Sequence, residues 1–450
     1  MPSSSVLPIT RRGSQSSQMA PKRNRNASES AGARRSPGDD ITSPAAKRSR
    51  VRSSTSAPIP PAGSPPADPT PGEYEKQSRE SNVCVALEVP NNVPRREFPK
   101  RKDETSKGMF NPGALCYRNA SLQALFHSPP FYHFLATVHQ DCDEQANKCV
   151  LCALREVLYW YFDSPGTKVD GDGGTAEVAR RTLETFTAAC KQHPPHDQVG
   201  AREIKKNLQS DAFMFIDYLV RERIANTKGV NQELFNDFFE LGIEERWKCR
   251  HCGKISITPR QTVELGLTVE FMEKDKTQHV LWHLNRGYFY EKLGLWCDTP
   301  TCTVLRAERA GKDSKPPLRM FTRRIKRAPE VLVVRIARFG LVKSGNSVTV
   351  EKVRERMQVL EFLNLNPYRH KDMKDDCVYR LDGAVGHKGK NVQSGHYVAA
   401  VRNEDGRYEV INDSQSIVRS DDFATMGAFN ESSDTNGAEF DPYVLVYSKY

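Results

Sequence analysis

Apolar positions along this chain follow two rhythms, and a long stretch that follows neither precedes both. Residues 1–105 are poor in apolar and aromatic side chains and predict no element. From near Ser106 the spacing becomes helical. Between Cys116 and Phe126, Leu122, Leu125 and Phe126 share a side, and over Leu208–Val220 the residues Phe213, Ile216, Leu219 and Val220 recur at three and four. The last third changes rhythm. Val331–Ile336, Tyr397–Val401, Tyr408–Ile411 and Val444–Tyr447 are short β-branched or aromatic runs of strand length. Helices first and strands later predict an α+β fold. No apolar run reaches the roughly 18 residues of a membrane helix, so no membrane partner is expected. The first residues, with Ser3-Ser4-Ser5 and Arg11-Arg12, lack the apolar centre of a secretory signal.

Composition separates the same stretches. The chain has 450 residues, and the first 105 carry 15 of its 28 prolines. They also carry 18 Lys and Arg against 11 Asp and Glu, so +7 of the net +10 charge lies there. Such a segment buries too little apolar surface to offset its ordering entropy, and residues 1–105 are expected to be a disordered tail ahead of a domain over 106–450. The basic balance belongs to that tail, so a nucleic-acid role for the folded part loses its support, and only weak contact through the tail is expected. Lys22-Arg23-Asn24-Arg25 and Lys47–Arg52 have the composition of nuclear import signals. Nucleus and cytoplasm, with the nucleus favoured, is the expected location.

Eleven cysteines, several in close pairs, fit metal binding and a reactive thiol better than a disulfide framework. Cys116 follows the turn-forming Pro112-Gly113 and begins the predicted helix, where unpaired N–H groups favour a thiolate. Asn111, five residues earlier, can donate an amide N–H to an oxyanion. Far downstream, Gly395-His396-Tyr397 is followed by Ile411-Asn412-Asp413. A thiol, an imidazole, a group to orient it and an oxyanion donor are the parts of a cysteine hydrolase. Cys116 and His396 lie 280 positions apart, beyond the roughly 130–150 of papain-type enzymes, so something large is inserted between them. Asn403-Glu404-Asp405-Gly406 reads as a four-residue hairpin loop. Pairing Arg402 with Arg407 sets His396 opposite Asp413, and a one-residue slip brings in Asn412 instead. The pattern leaves that choice open.

The insertion holds Cys249-x-x-Cys252-Gly253 and, 45 positions after Cys252, the pair Cys297 and Cys302. Four thiolates can close a tetrahedral, structural zinc site that admits no substrate. His139, Cys142, Cys149 and Cys152 form a further cluster, either a second metal site or thiols buried at the start of a helix.

In chain order, the Cys116 segment, Gln209-Ser210-Asp211-Ala212, the two cysteine pairs, the stretch Tyr379–Asp413 and the final Tyr443–Tyr447 resemble the ubiquitin-specific protease family. The resemblance runs from about Lys107 to Tyr450. It implies a papain-like protease with a helical thumb, a β-rich palm and zinc-bearing fingers at about 236–330. It also implies cleavage after the last glycine of ubiquitin, with ubiquitin and ubiquitinated proteins as partners. By the family pattern Asn412 is the third catalytic member and Asp413 a polar neighbour sometimes implicated in catalysis. Asn111 is the oxyanion donor, Asp211 and Gln209 face the arginine-bearing tail of ubiquitin, and His387 is structural or lines the cleft. The family's Asn-Thr or Ala-Thr before the cysteine is Ala114-Leu115 here, its common Met after the Tyr is Arg118, and the Glu that follows the Asp is missing at Phe213–Phe215. Two alternatives stand beside this reading: a catalytically inactive ubiquitin-binding adaptor, and a protease for another ubiquitin-like modifier.

Overall fold

The computed structural model describes residues 97–98, 108–139, 142, 148–162, 173–192, 208–257, 262–271, 278–293, 297–308, 319–344, 347–391, 394–420 and 440–450. The disorder and import signals expected in residues 1–105 lie outside these, except at Glu97 and Phe98. That pair belongs to the fold: Phe98 packs its ring 6.1 Å from Tyr132 and 6.0 Å from Phe162, and the Glu97 carbonyl meets His133 Nε2 at 2.8 Å. Contacts with the helices therefore reach back to these two residues.

Helices come first, as expected: α1 Cys116–Phe126, α2 Pro129–Thr137, α3 Val150–Phe162, α4 Gly173–Gln192, α5 Ala212–Asp217 and α6 Gln232–Phe239. α1 has the bounds the spacing predicts, yet every one of its residues is buried, the polar ones included. α5 is shorter than the predicted Leu208–Val220. The Asp211 side chain caps it, accepting from Phe213 N at 2.8 Å and Met214 N at 3.2 Å, and the chain continues as a π-helical turn over Tyr218–Ile224. Among the described residues no helix is long and apolar enough to cross a membrane.

Strands follow. β1 Leu241–Cys249, β2 Ile255–Ile257, β3 Thr262–Glu264, β4 Gly266–Val269, β5 Gln278–His279 and β6 Tyr290–Leu293 precede α7 Pro300–Glu308 and β7 Arg319–Arg327. After them come β8 Val331–Ile336, β9 Phe339–Ser344, β10 Ser347–Lys352, β11 Met357–Gln358, β12 Phe362–Asn364, β13 Val378–Asn391, β14 Ser394–Arg402, β15 Tyr408–Asn412, β16 Gln415–Ser420 and β17 Asp441–Lys449. One sheet, in the order β2-β1-β7-β6 with β3 on β1, falls inside the range expected for the fingers. β4 leaves that range's sheet and pairs in parallel with β8 in the palm.

The palm sheet runs β16-β15-β14-β13-β17-β8-β4, with β12 added to β13. Its strands are apolar on both faces because both are covered. Val331, Val333, Tyr397, Ala399 and Val401 join the core shared with the helices. Their neighbours Leu332, Val334, Val398 and Ala400 join a second core on the other face. α1 lies against β14 and β13, which brings the helix carrying Cys116 onto the strand carrying His396.

Candidate active site

Cys116 is the first residue of α1 and is buried. His396 stands on β14 just before its buried run, which begins at Tyr397, and directly after Gly395, whose φ of +144° and lack of side chain are both required. A Cβ there would lie 2.2 Å from the Lys388 carbonyl oxygen and 2.7 Å from His387 Nε2. The backbone can thus press against β13 and hold the imidazole toward α1.

The imidazole has two partners. His396 Nε2 lies 2.5 Å from Asn412 Oδ1, which leaves Nδ1 for Cys116. The hydrogen bond with Cys116 lifts His396 to about 9 against the opposing effect of burial, and Asn412 and Asp413 add to the rise. Asp413 Oδ2 is 3.8 Å from His396 Nε2, farther than Asn412. Asn412 is therefore the nearer of the two to the ring and the one hydrogen-bonded to it.

The hairpin explains this choice. Gly406 N–H donates to the Asn403 carbonyl at 3.0 Å, and Gly406 takes a left-handed φ of +83°. That extra bulged residue moves the register, so Arg402 pairs with Tyr408 instead of Arg407. The opposition of His396 and Asp413 that a plain four-residue loop would give is therefore absent. Asn412, diagonal across the pair, shares the imidazole's face instead. Asp413 leaves the strand with a positive φ of 48° and turns its carboxylate toward α1.

There Asp413 joins two amides. Its Oδ2 accepts from Asn111 Nδ2 at 3.0 Å, and its Oδ1 accepts from Asn119 Nδ2 at 2.9 Å. Asn111 Oδ1 in turn accepts from Gly113 N at 3.0 Å and Leu115 N at 3.1 Å, tying the turn before Cys116. An amide has two N–H bonds, so Asn111 has one for Asp413 and one for an oxyanion. Asn119 and Arg118 were not among the expected site residues. The available signal is helical: Asn119 stands three residues after Cys116, one turn along α1.

The residues expected to meet substrate differ in exposure and partners. The Asp211 carboxylate caps α5 and accepts the Tyr443 hydroxyl at 2.5 Å, so it has a role within the fold beside the expected contact with a basic tail. The capping signal, an Asp just before a helical run, was in the sequence. Gln209 Nε2 donates to the Gly395 carbonyl at 2.9 Å, beside the base. His387 is fully buried between Tyr397 and Phe339 and offers a substrate no surface. Burial, with the Lys352 ammonium and His396 nearby, pushes it down to about 3, so it is neutral.

The four cysteines of the fingers converge. Their sulfurs lie within 4.8 Å of one another, with Cys249 to Cys302 and Cys252 to Cys297 each at 3.7 Å. Zinc–sulfur bonds of about 2.3 Å place tetrahedral sulfurs about 3.8 Å apart, so the set fits the ion. The wide spacing of the second pair has a cause: Cys297 sits on the approach to α7 and Cys302 in its first turn. The ligand atoms of His139, Cys142, Cys149 and Cys152 also gather within 4.8 Å, at the start of α3.

Comparison with known proteins agrees with this geometry. The family described as "Ubiquitin carboxyl-terminal hydrolase" matches residues 107–447. Ubiquitin carboxyl-terminal hydrolase 36 of Drosophila ananassae is 27% identical over 338 residues, 70% of this chain and 27% of that one. Ubiquitin carboxyl-terminal hydrolase 17 of Homo sapiens is 24% identical over 333 residues, 72% of this chain and 55% of that one. A human relative named as the inactive 17-like protein 8 is 23% identical over the same length. The chain thus spans from about a quarter to about half the length of these relatives. The solved SAGA Ubp8/Sgf11/Sus1/Sgf73 DUB module bound to ubiquitin aldehyde is similar in fold, with a TM-score of 0.56 at 21% identity, covering 83% of this chain and 74% of that one. The chain belongs to the ubiquitin carboxyl-terminal hydrolase family.

Proposed function

We propose that this protein is a deubiquitinase that hydrolyses isopeptide or peptide bonds after the last glycine of ubiquitin through an acyl-enzyme on Cys116. The observation that carries this reading is His396, which meets Cys116 on one side and Asn412 on the other. The Cys116 thiolate attacks the glycine carbonyl. The Asn111 amide faces the oxygen as it becomes negative, and the His396 imidazolium protonates the departing amine. Water, deprotonated by His396, then cleaves the thioester and restores the pair. Asn412 accepts the Nε2–H and fixes the ring without taking up a proton.

Zinc at Cys249, Cys252, Cys297 and Cys302 would staple the fingers, which have a small core of their own, and would take no part in the reaction. Basic residues of the tail are proposed to direct the protein to the nucleus.

The likeness to an inactive relative makes one experiment decisive. Incubation with a C-terminally activated ubiquitin electrophile should capture Cys116 covalently, and Cys116→Ser should bind ubiquitin but neither react nor cleave. Ubiquitin binding without capture would establish an adaptor. Preferential capture by another modifier's electrophile would move the specificity to that modifier.

A further inference from the structure

Arg118 is fully buried two residues after the nucleophile, on a helix in which every position is covered. A guanidinium is costly to bury without a purpose, and among the described residues no carboxylate is hydrogen-bonded to this one. Its N–H groups go to three oxygens. Nη1 donates to Thr187 Oγ1 on α4 at 2.9 Å, and Nη2 donates to the Phe110 carbonyl at 3.2 Å. Nε and Nη2 together grip Asn119 Oδ1 at 3.1 and 2.8 Å. Burial pulls Arg118 down to about 10, opposed by Tyr117, Cys190 and Asp413, so it remains charged at neutral pH.

The direction of these bonds matters. A guanidinium can only donate, so Asn119 Oδ1 can only accept, and the Asn119 amide nitrogen must face the opposite way. There it donates to Asp413 Oδ1. The other Asp413 oxygen holds Asn111 Nδ2, and the carbonyl gripped by Arg118 belongs to Phe110, the residue before Asn111. Arg118 thus reaches the oxyanion donor by two routes, one through the backbone before it and one through the carboxylate that holds its side chain.

We propose that Arg118 is a positioning residue that sets the direction of the Asn119–Asp413–Asn111 hydrogen-bond chain and so aims the Asn111 amide at the oxyanion. The inference rests on the hydrolase reading above, and acts on one step of it. Without the guanidinium, Asn119 Oδ1 loses both its donors in the buried core, the part-buried Phe110 carbonyl keeps only Asn119 Nδ2 at 3.3 Å, and the segment carrying Asn111 loosens.

Arg118→Met tests this, because methionine fills similar volume without donors. On a fluorogenic ubiquitin substrate kcat should fall about tenfold or more, within the range for weakening one oxyanion donor, while KM stays within about twofold. Affinity for ubiquitin aldehyde, whose adduct places an oxygen in the oxyanion position, should fall in parallel with kcat, while affinity for free ubiquitin is retained. In an Asn111→Ala background the same substitution should cost at most about twofold more, since both act on one group. Unchanged kcat, parallel loss of aldehyde and free-ubiquitin affinity, or full additivity with Asn111→Ala would each overturn the proposal. A readout without ubiquitin separates this inference from the hydrolase reading. In selectively labelled protein, the Asn111 side-chain amide resonances should shift in Arg118→Met, and unshifted resonances overturn it even in a protein that cleaves nothing. Should Arg118→Met not fold, Arg118→Lys, which keeps charge and a donor but not the double grip on Asn119, should show the same shift at smaller size. Its absence there is equally fatal.

Discussion

At the residue scale, Asn412 and Asp413 are neighbours with different work. Asn412 accepts from His396 and helps hold it at about 9, so Asn412→Ala should lower kcat by orders of magnitude with little change in KM. Its loss also removes a contribution that favours the imidazolium. The alkaline limb of kcat/KM, expected near the His396 value of about 9, should therefore move to lower pH. Asn412→Asp keeps an acceptor for the same N–H, should retain activity, and should not move the limb downward. The sign for stability is parallel. A histidine raised in the folded state contributes stability fully below its unfolded value near 6.5, and that contribution is lost as pH rises through about 9. Asp413→Ala acts elsewhere. By the family pattern it is a polar neighbour of the third catalytic member, yet its carboxylate holds both Asn111 and Asn119. A loss of about a hundredfold in kcat is expected, comparable to losing an oxyanion donor, with a much smaller displacement of the alkaline limb. Steady-state kinetics from pH 6 to 10 on folded variants separate the two. An alkaline limb unmoved in Asn412→Ala would show that the asparagine does not support the imidazolium.

At the element scale, what was legible is instructive. The bounds of α1 and β8, and the apolar centres of β14, β15 and β17, could be read because apolar spacing and β-branched runs reflect the burial that forms them. The register of β14 and β15 could not. A single bulged glycine in the turn shifts every pairing, and the choice between a plain loop and a bulge leaves little trace in Asn403–Gly406. The burial of Arg118 was hidden for a related reason. Its partners Thr187 and Phe110 come from segments whose approach to α1 is set by tertiary packing. The fingers, by contrast, announced themselves through cysteine spacing. Because Cys249 and Cys252 close the tip of β1 and β2 while Cys297 and Cys302 anchor α7, removing the ion should release both. Cys249→Ala is expected to lose one zinc equivalent, lower the melting temperature and reduce cleavage indirectly, through the fold. A second equivalent retained in that variant and lost in Cys149→Ala would belong to the cluster around His139. Elemental analysis beside thermal unfolding reads both. Active protein free of zinc would reject a structural metal in the fingers.

At the scale of the whole molecule, the boundary between tail and domain is where composition and packing disagree. Composition places it near residue 105, where the Pro- and Ser-rich stretch ends, but Phe98 packs against Tyr132 on α2 and Phe162 on α3. Both of those helices feed the core that receives α1. Two truncations therefore differ in a way that composition alone does not foresee. Deleting residues 1–90 removes the basic clusters and leaves Phe98 in place. Deleting residues 1–105 also removes a half-buried aromatic side chain, worth about 1–2 kcal/mol by the apolar area it covers. The shorter deletion should melt with the full-length chain, and the longer one should melt a few degrees lower. Neither deletion touches Cys116, His396, Asn412 or the amides around Asp413, so both should cleave a small ubiquitin substrate within a few-fold of the full chain at 25 °C. Both lack Lys47–Arg52, and both should lose nuclear accumulation if that cluster is the import signal. Equal melting temperatures for the two truncations would show that Phe98 contributes nothing and that the domain begins where composition alone placed it.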